Sequence, residues 1–283
     1  MREPTFTSAR AISSRQNPLV RRFHAAARHR ASGDPAIVLV GARLVADAEA
    51  ASVEISHVVF SPDALDAEAR RTIERVERAG AFVASATDSV MAAVSPTRST
   101  SGVVALAKRP VYDLATTLRR VPQLVLLVVR AQDPGNVGAL VRSAEAAHAS
   151  GVIVSAASAD PFGWKAIRGS MGSVFRLPTV IAEEPVDVVR MARQQHLRIL
   201  AAAPRHGQPI FDANLLSPLL IVLGGEGPGL TPELIGMADE AVTIPMRGGV
   251  ESLNVGVAGA LLLYEAFRQR RANAVRVDRI GGL

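Results

Sequence analysis

Leu219-Leu220-Ile221-Val222-Leu223-Gly224-Gly225-Glu226-Gly227-Pro228-Gly229 joins an apolar run to a glycine-rich turn, and its reading decides the fold. The run starts just after Pro218 and has no polar alternation, the pattern of a strand covered on both faces. Working outward, apolar runs recur at 124–129, 151–154, 197–202 and 242–245. Helical spacing fills the gaps at 137–148 and 186–195, and a long helix is expected over 253–269. Strands that alternate with helices imply a parallel sheet between helical layers. The fold class is therefore α/β.

In such a sheet, ligands bind outside the carboxyl ends of the strands. Three polar segments fall there. After 124–129 comes Asp133-Pro134-Gly135-Asn136-Val137-Gly138, with Arg142 four residues beyond Gly138 on the same helix face. Pro134 and Gly135 impose a tight turn, and Asn136 is expected to cap the helix. The second is the glycine turn at 224–229, whose glycines admit close approach of backbone to a ligand. It lacks the Gly-Lys-Ser/Thr of a phosphate loop, and Leu230 stands where a dinucleotide fingerprint needs glycine. Gly225, Gly227 and Gly229 spell the Gly-x-Gly-x-Gly of the common doubly wound methyltransferases. That turn, however, follows the first strand of its fold, and here only one strand and one helix remain. The third is Ile244-Pro245-Met246-Arg247-Gly248-Gly249-Val250-Glu251-Ser252-Leu253-Asn254, in which Ser252 or Asn254 could serve as a plain helix cap. Three such loops in order are hard to explain by capping alone.

The N-terminal part reads differently. Between residues 1 and 32 lie seven arginines (Arg2, Arg10, Arg15, Arg21, Arg22, Arg28 and Arg30) against one acid, Glu3. Phe23, His24 and His29 are interleaved, so stacking on bases beside phosphate contacts is expected, with a solvated basic face as the alternative. Asn17-Pro18 opens a helix. Strands at 37–40, 56–60, 81–85 and 102–107, with helices at 43–51 and 66–79, the latter stopped at Gly80, make a small α/β domain. The expected organisation is a basic α/β domain over 1–110, a linker over 111–122 and a second domain over 123–283. The net charge of +6 agrees with an anionic partner. Cysteine is absent, which excludes disulfides, thiolate–metal sites and a Cys nucleophile for attack on a pyrimidine carbon. No metal is expected. No apolar run reaches membrane-spanning length and the N-terminus lacks a signal-peptide pattern, so a cytoplasmic protein without a membrane partner is expected.

These three loops together resemble the motifs of the SpoU/TrmH branch of the SPOUT RNA methyltransferases. Asp133 to Gly138 with Arg142 is similar to the first motif, Leu223 to Leu230 to the second, and Ile244-Pro245-Met246 with Ser252-Leu253-Asn254-Val255 to the third. Lys165-Ala166-Ile167-Arg168 and Gly172 to Pro178 resemble the segment between them, and the likeness spans about 124–270. In two places the chain departs from the family pattern: Gly256 stands where relatives often carry serine, and Val40-Gly41 where many carry Glu-Gly.

The resemblance implies an N-terminal L30e-like RNA-binding domain and a C-terminal parallel-sheet SPOUT domain with a trefoil knot. It further implies a homodimer that transfers a methyl group from S-adenosylmethionine to a ribose 2′-hydroxyl of structured RNA, 23S rRNA first. Both a housekeeping role and self-resistance to a ribosome-targeting antibiotic fit it. It assigns Asn136, Arg142, Glu226 and Asn254 to the reacting centre, and Leu223, Gly224, Gly225, Ile244, Met246, Ser252 and Leu253 to the cofactor. Arg15, Arg21, Arg22, Arg28, Arg30, Lys165 and Arg168 are assigned to RNA. A guanidinium stays protonated at neutral pH and is a poor base. Arg142 is therefore expected to orient ribose or phosphate and to stabilise alkoxide charge, with water or a phosphate taking the proton. The rival readings are methylation of a base nitrogen, a tRNA 2′-O target, and a non-catalytic RNA-binding protein of ribosome assembly.

Overall fold

The computed structural model describes residues 10–28, 36–97, 101–227 and 229–281. The chain folds as two units, one of residues up to Pro110 with Phe162–Phe175, the other of Val111–Pro161 with Arg176 onward. Phe162–Phe175, which the expected boundaries left inside the second domain, thus groups with the first unit.

In the first unit the described strands are β1 (Arg10–Ile12), β2 (Ala36–Val40), β3 (Ile55–Phe60), β4 (Phe82–Ala86) and β5 (Val103–Lys108). They make a mixed sheet of order β1-β4-β3-β5-β2, in which β5 runs antiparallel to both neighbours. Helices α1 (Pro18–Arg28) and α4 (Asp88–Val94) cover one face, burying Leu19, Val20, Phe23, Val90 and Met91 with Val59, Ala84 and Leu106. Helices α2 (Ala42–Ala50) and α3 (Ala67–Arg78) pack on β2, β4 and β5. Asn17 caps α1 through Leu19 N–H at 2.9 Å, as its Asn-Pro start predicts. Helix α7 (Trp164–Ser170) packs on β2, with Ala166 and Ile167 buried and Trp164 against the α1/α4 core. These apolar contacts explain why its segment joins this unit.

The second unit is a parallel sheet of seven described strands. They are β6 (Leu124–Val129), β7 (Gly151–Ser155), β8 (Thr179–Ala182), β9 (Arg198–Ala202), β10 (Gln208–Pro209), β11 (Leu219–Gly224) and β12 (Glu240–Thr243). The order is β10-β12-β9-β11-β6-β7-β8 and every pairing is parallel. β6 and β11 lie side by side at its centre, which is why both read as unbroken apolar runs. Val125, Leu127, Leu220 and Val222 face α5 (Leu114–Arg119), α9 (Pro185–Gln194) and α10 (Pro232–Gly236). The other face carries α6 (Pro134–Ala146) and α11 (Val255–Gly281), which pack closely: a Cβ on Gly259 would lie 2.2 Å from Leu140 Cδ2.

The topology reverses at the centre. From β6 the chain moves outward to β7 and β8, crosses to β9 on the far side, then places β11 between β9 and β6. The carboxyl ends of β6 and β11 therefore adjoin at a switch point, where this class of sheet opens a crevice.

Candidate active site

At that crevice the three loops meet. Gly225 N–H donates to Val129 O at 2.7 Å, so β11 stays locked to β6 as it ends. A Cβ on Gly225 would lie 2.2 Å from Arg130 O, which leaves glycine as the residue that fits. Gly227 and Gly229 have φ of +89° and +66°, so the turn folds back until Gly229 and Leu230 backbone stand against Gly224.

The reversal encloses a cavity of about 450 Å³ at the carboxyl ends of β9, β11 and β12. Leu223, Gly224, Gly225, Ile244, Met246, Ser252 and Leu253 all line it, bringing together every residue expected at the cofactor. Ala202, Ala203 and Pro204 also line it, and sequence reading missed them. Their position at and just beyond the end of β9 was the available signal, because loops at strand carboxyl ends are where ligands bind. Leu230 and Ile235 complete an apolar wall. Apolar walls, exposed backbone and a few polar groups are the composition of a small-molecule site, and the volume lies in the usual range of a few hundred Å³.

A chain of side-chain hydrogen bonds runs along the edge of this cavity. Glu226 Oε2 accepts from Gln132 N–H at 3.0 Å and Oε1 from Asn136 Nδ2 at 2.7 Å. Asn136 Oδ1 accepts from Asn254 Nδ2 at 3.1 Å. Asn254 Oδ1 in turn accepts from Gly256 N–H at 2.9 Å and Val257 N–H at 3.3 Å, which caps α11. Burial pushes the Glu226 carboxyl up, but the N–H groups and the Asn136 amide around it outweigh that and hold it below its ordinary value. The carboxylate therefore stays ionised at neutral pH and fixes the direction of the whole chain.

One expectation is corrected here, and one open choice is decided. Asn136 is not the cap of α6: Asp133 is, accepting from Asn136 N–H at 2.8 Å, and the helix begins at Pro134. The Asn136 side chain is thereby released to join Glu226 and Asn254. Ser252 lines the cavity, while Asn254 does the capping of α11. At Gly256, a Cβ would lie 3.1 Å from Asn254 Oδ1 and 3.4 Å from Asn136 Oδ1. A side chain there would press on both amides, which in this chain bond directly to each other.

Arg142 is exposed on α6 and makes no hydrogen bond or ion pair among the described residues. It does not touch the Glu226–Asn136–Asn254 chain.

Of the residues expected at RNA, Arg30 lies outside the described residues, as does His29. Arg15, Arg21, Arg22, Arg28, Lys165 and Arg168 are all exposed in the first unit. Arg15 donates to Ser89 O at 3.0 Å and Arg22 to His57 Nε2 at 2.9 Å. Burial first, and the Arg22 charge second, depress the His57 pKa, which favours the neutral imidazole as an acceptor. Phe23 is 0% exposed and belongs to the core, so the expectation that it stacks on bases fails. Its helix turns Arg21 and Arg22 outward and Phe23 inward. No cluster of metal-ligating side chains occurs among the described residues, and no helix among them is long and apolar enough to cross a membrane.

Residues 123–264 match the model of the SpoU rRNA Methylase family. The chain is 35% identical over 193 residues to the 23S rRNA (uridine(2479)-2′-O)-methyltransferase of Streptomyces viridochromogenes, a match that spans 66% of this chain and 67% of that protein. Its structure is similar to the AdoMet-bound rRNA methyltransferase of Sinorhizobium meliloti, with a TM-score of 0.83, 26% identity and coverage of 92% and 98% of the two chains. It is also similar to the SpoU methyltransferase AviRb from Streptomyces viridochromogenes in complex with AdoMet, with a TM-score of 0.81, 28% identity and coverage of 90% and 100%. The family match spans the strands and loops that form the switch-point cavity, and the chain belongs to the SpoU rRNA methylase family.

Proposed function

We propose that this protein transfers a methyl group from S-adenosylmethionine to a ribose 2′-hydroxyl of ribosomal RNA in the cytoplasm. The observation that carries this reading is the cavity at the β9/β11/β12 ends with the Glu226–Asn136–Asn254 chain along its edge. The residues fit the cofactor. Backbone at Gly224, Ile244 and Leu253 would meet the polar edge of its adenosine, and Leu230, Ile235 and Met246 its apolar faces.

S-adenosylmethionine supplies a methyl carbon on a sulfonium, so the protein's tasks are alignment and help with one proton. Alignment alone contributes up to about 7–11 kcal/mol in the best cases. Asn136 and Asn254 hold the ribose edge, Glu226 fixes their amides, and Arg142 engages the phosphate or the developing alkoxide. The exposed arginines of the first unit bind RNA backbone.

The reading includes a homodimer and the trefoil knot of the fold. Val257, Leu261, Tyr264 and Val275 are 46–50% exposed at helical spacing on α11, and the last three line a groove with Phe211, 64% exposed. An apolar stripe of this kind on a water-soluble surface marks an interface, and a second copy is the occupant that symmetry favours. The knot is carried over from the family resemblance.

The test is to incubate purified protein with ribosomal RNA and labelled methyl donor, then hydrolyse in alkali. Label at a position resistant to cleavage supports the reading. Label at a cleavable position assigns a base instead, and RNA binding without label assigns a non-catalytic role.

A further inference from the structure

The first unit holds a second cavity, of about 510 Å³, that the methyl-transfer reading does not use. It lies between α1 and the end of α4, with Arg15, His24, Arg28 and Trp164 in its walls and no carboxylate among its lining. His24 Nε2 donates to Ala93 O at 2.6 Å, which ties α1 to α4 at the cavity wall. Arg15 Nε is anchored on Ser89 O at 3.0 Å, leaving its terminal nitrogens without a partner among the described residues. Arg28 has no ion pair among those residues. Trp164, the single tryptophan of the chain, is half-buried against the core, with the Lys165 ammonium 5.5 Å from its ring centroid.

One guanidinium anchored through a single nitrogen, a second without an ion pair, and an aromatic wall match one chemistry well. A nucleobase needs a flat apolar partner, and the phosphates on either side of it need guanidinium groups a few ångströms away. We propose that this cavity is an accessory RNA subsite, which takes one unstacked nucleotide with its base against Trp164 and its phosphates on Arg15 and Arg28. The ligand class rests on the RNA reading above, but the subsite uses none of the residues of the methyl-transfer cavity.

Because Trp164 is the single tryptophan, its emission reports the site directly. The full-length protein is titrated with a short oligoribonucleotide and with an abasic oligomer of the same length. The intact oligomer should quench Trp164 emission in a saturable, salt-dependent way, while the abasic one binds without quenching. Arg15→Glu and Arg28→Glu should each weaken oligomer binding about tenfold, and Trp164→Leu by a similar factor, with Trp164→Phe restoring most of it. Trp164→Phe also serves if the leucine variant folds poorly. The proposal is overturned if the oligomer binds by anisotropy with Trp164 emission unchanged, if the abasic oligomer quenches equally, or if both charge reversals leave affinity unaltered. Quenching without methyl transfer to any RNA would sink the proposed reaction alone, and methyl transfer without quenching the subsite alone.

Discussion

Asn136 donates its side-chain N–H to Glu226 Oε1 at 2.7 Å, and this bond sets the direction of every polar contact behind it. An ionised carboxylate is acceptor-only, so the Asn136 nitrogen must face it. Its oxygen is then free to accept from Asn254, whose own oxygen is left to cap α11. One carboxylate thus orients two amides and one helix start.

Glu226→Gln should break this arrangement while barely altering size. If the new oxygen faces Asn136, the new amide nitrogen meets the Gln132 N–H. If it faces Gln132, both asparagines must turn over and Asn254 loses its cap. Either way a donor faces a donor. The site is solvent-exposed, so water relieves most of the cost and stability should fall by less than about 1 kcal/mol. Turnover depends on alignment and should drop about tenfold to a hundredfold. Denaturant midpoint and single-turnover methyl transfer read the two effects, and unchanged turnover would remove Glu226 from the site.

The ionisation of Glu226 gives a pH prediction. Burial raises its pKa, but the Gln132 N–H, its own N–H and the Asn136 amide lower it further. A carboxyl with a depressed folded-state value contributes stability above the unfolded value of about 4.3, and loses it as pH falls through the lower folded value. Methyl transfer should therefore show no acid limb from this group between neutrality and about pH 5. A limb near pH 6 that vanishes in Glu226→Gln would contradict this assignment.

Gly225→Ala tests the cofactor cradle. The added methyl would sit 2.2 Å from Arg130 O, while the Gly225 N–H already holds Val129 O at 2.7 Å. Relief requires the β6 and β11 ends to part, with an overpacking cost of about 1–3 kcal/mol. Binding of S-adenosylmethionine, followed by calorimetry, should weaken at least about tenfold. RNA affinity, which the proposed function places on the first unit, should hold. Equal loss of both would indicate general unfolding.

Arg142→Lys tests the positioning role. Arg142 is exposed and unpaired among the described residues, so its charge is available to substrate. Lysine keeps that charge and loses the planar fork that grips phosphate or ribose oxygens from two directions. A turnover loss of about a hundredfold with unchanged cofactor affinity is expected. Near-normal turnover would show that a point charge suffices.

Much of this was legible in the sequence because the central strands are buried on both faces. Runs such as Leu219–Leu223 allow no other element so short. The residues expected at the cofactor came from the family resemblance of the three loops, and they line one cavity. What stayed hidden depended on tertiary contacts. β10 has two residues and β1 three, too few to show a period. Phe23 looked like a stacking residue because charge clustering says nothing about which side of a helix meets the sheet. Asp133 and Asn136 are both good caps by type, and only the partner at Glu226, ninety residues away, decides between them. The grouping of Phe162–Phe175 with the first unit is a packing preference of Ala166, Ile167 and Trp164 for apolar surface around β2.

Leu261→Asp tests the homodimer. Leu261 is 46% exposed, between Val257 at 50% and Tyr264 at 49% on the same face of α11. In a monomer a charge at so open a position should alter stability by no more than about 0.5 kcal/mol. In a dimer the same position loses its water, and a buried unpaired carboxylate costs several kcal/mol. Sedimentation equilibrium should therefore give twice the chain mass for the unaltered protein and a single chain mass for the variant, with the folded content of each by circular dichroism the same. A monomeric unaltered protein would leave the stripe to some other partner and remove the second copy from the proposed enzyme.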